Sequence, residues 1–137
     1  SYRSPLGIGI HPRHGLWLAY RGAVLLDCEV PERREPLTDH PCNSCEDEPC
    51  REACPPGAVG GPSGLDLSTC WSERSRPEVP CASVCLARGA CPVGQSSRYS
   101  EHQRQHHHHF AGKSLAVWFA SHPEDSLPSP SEWHKEG

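Results

Sequence analysis

The chain has 137 residues, a net charge of −4 with neutral histidines and 35% hydrophobic residues, with 12 glycines and 15 prolines. That is about one domain's length with too little apolar material for a large aliphatic core, so burial alone is not expected to hold the fold. Arg33, Arg34, Arg51, Arg74, Arg76 and Arg88 are interleaved with acids rather than gathered in a stripe, which gives nucleic-acid binding no support. No run approaches the roughly 18 apolar residues of a membrane span.

The start, from Ser1 to Ile10, lacks a basic region followed by a sustained apolar stretch, so no secretory leader is expected and the cytoplasm is the expected compartment. The chain holds no methionine, which points to a processed product or a piece of a longer protein with an upstream domain. Leu16 to Tyr20 and Ala23 to Leu26 read as two short strands around Arg21-Gly22, an N-terminal β-hairpin. Pro31 to Pro41, charged and bounded by prolines, reads as a solvated connection. Cys28, within the apolar run Ala23 to Val30, reads as a buried thiol acting as a small hydrophobe.

Residues 42 to 94 carry eight of the nine cysteines and almost no hydrophobic periodicity, so short helical turns wrapped on metal are expected to replace a core. Asp66 or Ser68 is placed to cap a short helix running through Arg74, and another turn or two is expected over Ala82 to Arg88. Gly60-Gly61-Pro62-Ser63-Gly64 reads as a turn joining two cysteine groups. Ser100 to Lys113 reads as a helix capped by Ser100, and the Pro- and Ser-rich end from Ser121 as a mobile tail with Trp133 as a docking point. The organisation expected is residues 1–41 as hairpin and linker, 42–94 as a two-cluster domain, 95–120 as a C-terminal helix and 121–137 as tail. The fold class expected is small α+β.

The chemistry lies in the spacing. Cys42-x2-Cys45-x4-Cys50-x3-Cys54-Pro55 lies close to the bacterial ferredoxin run C-x2-C-x2-C-x3-C-P, in which the fourth cysteine ligates the other cluster. The second gap is longer here by two residues. Cys70-x10-Cys81-x3-Cys85-x5-Cys91-Pro92-Val93-Gly94 is looser, but both groups end on Cys-Pro and a nearby glycine, as an internal duplication would. Thiolates at short spacing suit irons that each need a soft anionic ligand. With exchanged fourth ligands, Cys42, Cys45, Cys50 and Cys91 hold one 4Fe–4S cluster, and Cys70, Cys81, Cys85 and Cys54 hold a second.

Two other uses of the cysteines compete. A structural zinc site usually pairs two C-x2-C knuckles, and the second is absent. A disulfide scaffold fits poorly with an odd cysteine count and no secretory leader. His102, His106 and His109 can share a helix face, where histidine-rich tracts sometimes bind metal, but solvated or packed histidines are the expectation, because no carboxylate or cysteine stands at ligand spacing. No phosphate loop, nucleophile elbow or zinc-protease segment is present, so no residue is expected to act in acid–base catalysis.

Pro5-Leu6-Gly7 to Leu26, with His11-Pro12-x2-Gly15-x-Trp17 and Ala23-Val24-Leu25-Leu26, leads into the first cysteine group and Cys54-Pro55-Pro56-Gly57-Ala58-Val59. Over residues 5 to 94 this resembles the iron–sulfur region of epoxyqueuosine reductases and the related corrinoid-dependent reductive dehalogenases. The resemblance implies a bacterial two-cluster ferredoxin-like module, with Cys42, Cys45, Cys50, Cys54, Cys70, Cys81, Cys85 and Cys91 as ligands. It also implies electrons delivered to a redox partner protein or an upstream cobalamin domain. The chain departs from the family in the two extra residues of its first motif and the open spacing of its second. Three functional classes follow: an electron carrier, the electron-delivering part of a reductase, and a zinc-stabilised interaction module.

Overall fold

A computed structural model describes residues 1–29, 39–61 and 64–122. They form a small α+β fold of four helices and two small antiparallel sheets. Strand β1 (Tyr2–Arg3) pairs with β2 (Gly9–Ile10), Tyr2 opposite Ile10 and Arg3 opposite Gly9. The turn between them follows from Ser4-Pro5-Leu6-Gly7: proline presets the second position, the Gly7 N–H closes on the Ser4 carbonyl at 3.0 Å, and Gly7 takes φ 74°. The buried Ser4 hydroxyl donates to the Ile8 carbonyl at 2.7 Å, which fastens the turn.

The N-terminal hairpin is therefore made by residues 2–10, not by 16–26 as the two apolar runs around Arg21-Gly22 suggested. Leu16 and Trp17 leave the surface for the core, and residues 18–26 form neither strand nor helix. Leu25 is 99% exposed, and Cys28, expected buried, is exposed too. A strand needs a partner edge for its backbone groups, and residues 18–26 pair with none among the described residues. The connection over Pro31 to Pro41 lies largely outside the described residues, as does the tail beyond His122.

Helix α1 (Pro49–Glu52) carries Cys50 and begins on a proline. The two residues that lengthen the first motif are absorbed just before it: Glu46, Asp47 and Glu48 are exposed, and Glu48 turns the chain with a left-handed φ of 39°. Strands β3 (Val59–Gly61) and β4 (Gly64–Leu65) pair antiparallel on either side of Pro62-Ser63, giving the glycine-rich link a strand pair that the sequence did not announce. Helix α2 (Leu67–Arg74) carries Cys70 and is capped by Asp66, whose carboxylate accepts from the Thr69 N–H at 3.0 Å. A 3-10 turn (Pro80–Ala82) and helix α3 (Leu86–Ala90) stand where a turn or two was expected over Ala82 to Arg88. Helix α1 packs against α3.

Helix α4 (Glu101–Ser121) is capped by Ser100, which accepts from the Gln103 N–H at 3.2 Å. It runs eight residues beyond Lys113, because Ser114 to Phe119 contains no breaker and His122 precedes a proline. Trp71 stacks on Phe119 at 5.6 Å, tying α4 to α2. No described helix is long and apolar enough to cross a membrane. The core joins Leu6, Ile10 and Leu16 of the N-terminal segment to Val59, Ala87 and Cys91 of the cysteine region, so these parts share one interior.

Candidate metal centre

The segment Cys91-Pro92-Val93-Gly94 lies against the loop His11–Gly15, and two glycines make this possible. A Cβ on Gly15 (φ 57°) would collide with the Val93 carbonyl, and one on Gly94 (φ 72°) with the His14 carbonyl group. Across the same seam His14 Nδ1 meets Ser97 Oγ at 2.9 Å, and within the 91–95 segment the Gln95 amide donates to the Cys91 carbonyl at 2.5 Å. Cys91 is thereby carried from the end of α3 to the first half of the motif.

There it meets the first three cysteines. Cys42, Cys45, Cys50 and Cys91 line one pocket, closed by Ile10 and Val93. Burial pushes the Cys42 thiol above its ordinary value, and the thiolates of Cys91, Cys50 and Cys45 add to that. Cys50 is raised by burial and then by Cys91 and Cys45. Cys91 is itself raised by burial and by Cys45, against a pull downward from the Val93 N–H and Arg98.

The thiols of a second group act on one another electrostatically. Burial pushes Cys70 up to about 11, with Cys85, Cys54 and Cys81 also raising it and Arg74 lowering it. Cys81 is raised by burial, then by the Glu73 carboxylate, Cys54 and Cys85. Cys85 is raised chiefly by burial and then by Cys54. Its sulfur caps α3, accepting from the Arg88 N–H at 3.4 Å. The electrostatic neighbours thus fall into Cys42, Cys45, Cys50, Cys91 and Cys70, Cys81, Cys85, Cys54, with Cys91 and Cys54 each standing among cysteines of the other half.

Each group offers four soft anionic donors and no nitrogen, a donor set suited to iron–sulfur ligation. Raised thiols hold their protons, and a cationic centre is what converts such a set to thiolate. Among the described residues, no three His, Cys, Asp or Glu side chains gather closely enough to hold a single metal ion.

Sequence reasoning missed the cationic and aromatic surround. Arg74 of α2 donates to the His108 carbonyl at 2.6 Å, and His108 Nε2 donates to the Cys81 carbonyl at 2.8 Å, so α4 is latched onto the second group. Arg88 donates to the Leu16 carbonyl at 2.6 Å with its guanidinium 4.8 Å from the Trp17 ring centre. The spacing Cys85-x2-Arg88 was the available signal. His102, His106 and His109 are exposed on α4, while His107 and His108 turn inward. No protein-family model, curated protein or solved structure matches the chain.

Proposed function

We propose that this protein is an electron-transfer module with a ferredoxin-like arrangement of two 4Fe–4S clusters. What supports the reading is that Cys91 of the second motif lines one pocket with Cys42, Cys45 and Cys50, while Cys54 of the first motif acts electrostatically on Cys70, Cys81 and Cys85. That exchange is what the ferredoxin motif demands. Cys42, Cys45, Cys50 and Cys91 would hold one cluster, and Cys54, Cys70, Cys81 and Cys85 the other.

Each cluster supplies a one-electron couple whose potential depends on solvent access and on hydrogen bonds to sulfur. The chain's own residues tune both. The pocket walls Ile10 and Val93 keep water from the first group, and the Arg88 N–H donates to Cys85 in the second. Arg74 places positive charge near Cys70, Cys81 and Cys85, which favours the more negative, reduced state. The resemblance to the iron–sulfur region of epoxyqueuosine reductases and corrinoid reductive dehalogenases supports delivery of these electrons to a redox partner or an upstream cofactor domain. A redox titration of protein prepared without oxygen, followed by visible absorbance and paramagnetic resonance, tests the reading. Two one-electron reductions per chain are expected, and a protein with no reducible chromophore would sink it.

A further inference from the structure

Beside the second cysteine group lies a cavity of about 100 Å³ whose walls include Trp17, Cys85, Arg88, Arg104, His107 and His108. Three buried donors of these walls have no acceptor among the described residues: the Trp17 indole N–H and the Nε–H groups of Arg88 and Arg104. They are also the only such buried side-chain atoms found among the described residues. Trp17 is 97% buried, being 3% exposed.

Buried donors without acceptors are uncommon, because their desolvation goes uncompensated. Three of them around one cavity, two on guanidinium groups, mark a place built for something that only accepts. Tryptophan and arginine side chains carry donors alone, and no Asp or Glu is among the cavity's lining residues. The ion pairs among the described residues use Arg51 and Arg76, not Arg88 or Arg104. Other Arg88 contacts hold its guanidinium in place and leave Nε–H free: Nη2 on the Leu16 carbonyl, a hydrogen bond with the Tyr99 side chain, and its face on Trp17 and Tyr99, 4.8 and 5.4 Å from the ring centres. Arg104 comes from α4, so the two cations reach the cavity from separate elements.

We infer that this cavity binds one small oxyanion of the phosphate or sulfate class, held by Trp17, Arg88 and Arg104. Planar guanidinium forks match tetrahedral oxyanions, and the bonds they form are charge-assisted. At about 10–15 Å³ of such volume per water, the cavity has room for several oxygen-sized groups, and it is far below the size of a nucleotide pocket. Because Cys85 forms part of the wall, the anion sits next to the second cysteine group. Binding itself depends on the cavity and not on what the cysteines hold.

Calorimetry on the full chain, prepared without oxygen, decides the matter. Inorganic phosphate and sulfate are titrated separately at ionic strength fixed with chloride. One phosphate or sulfate per chain is expected. Arg104→Gln should weaken binding about tenfold or more, the worth of a charge-assisted hydrogen bond. Trp17→Phe, which keeps the aromatic body and removes only the N–H, should weaken it severalfold, while Arg76→Gln, on the exposed surface, should leave it unchanged. Should Arg104→Gln fail to fold, as judged by helix content, Trp17→Phe decides alone. Absence of saturable binding for both anions, or unchanged affinity in Trp17→Phe, overturns the inference, the donors then being satisfied by water.

Discussion

Replacing Cys91 by alanine isolates the exchange of ligands between the two halves. Cys91 follows α3 in the second motif, yet it lines the pocket of Cys42, Cys45 and Cys50 and heads the thiolates acting on Cys42 and Cys50. Losing the buried sulfur as packing costs only about 1 kcal/mol. Losing it as a ligand leaves three thiolates for one cluster while Cys54, Cys70, Cys81 and Cys85 keep all four. Iron should therefore fall from about eight to about four per chain, the content of one four-iron cluster. The paramagnetic spectrum of reduced Cys91→Ala should match that of Cys42→Ala, and Cys54→Ala should match Cys70→Ala. If Cys91→Ala instead shares its residual spectrum with Cys70→Ala, each motif keeps its own fourth cysteine and the exchange is refuted.

Other consequences are as direct. Gly94→Ala puts a Cβ at φ 72° against His14; about 1–3 kcal/mol of backbone strain plus the collision should lower the unfolding midpoint in denaturant and release Cys91 from its pocket. Cys42, Cys50, Cys70, Cys81, Cys85 and Cys91 are all raised above 9.0. Loading the metal-free chain at neutral pH should thus release close to one proton from each of these six cysteines that becomes a ligand, measurable in weak buffer. For Cys70, about 11 when folded against 9.0 when unfolded, stability of the metal-free chain is full below 9.0 and falls as the pH rises from 9.0 toward 11, which denaturation at stepped pH would show. Asp66→Ala should cost about 1 kcal/mol through the lost cap of α2. The Asp66 carboxyl is held below its ordinary 3.8 by Thr69, so that loss should shrink as the pH drops below 3.8. Arg74→Met removes the Arg74–His108 bond and a positive charge; it should destabilise by about 1.5–3 kcal/mol and lower the potential of the second centre.

How much of this was legible in the sequence depended on whether the signal was local. The caps at Asp66 and Ser100 are side-chain-to-backbone bonds spanning three residues, and both helices start where those residues stand. The cysteine spacing was readable because it is a property of the chain, and of the expected groupings the structure brings Cys42, Cys45, Cys50 and Cys91 to one pocket. The hairpin lies elsewhere because two apolar runs around Arg21-Gly22 do not say whether a partner edge exists, while Ser4-Pro5-Leu6-Gly7 carries the turn signal that the structure uses. Cys28 was expected in the interior from its residue type and its place in the apolar run Ala23 to Val30, a run whose described residues the structure leaves exposed. The latch from Arg74 to His108 and the convergence of Trp17, Arg88 and Arg104 join residues far apart in sequence, and nothing local marks them.

The most direct test of the central claim is the iron, acid-labile sulfide and zinc content of protein purified without oxygen, taken together with its visible spectrum. About eight irons and as many sulfides per chain, with a brown chromophore, are what two four-iron clusters require. One or two zincs, no sulfide and no colour would contradict the account and make the cysteines a structural staple.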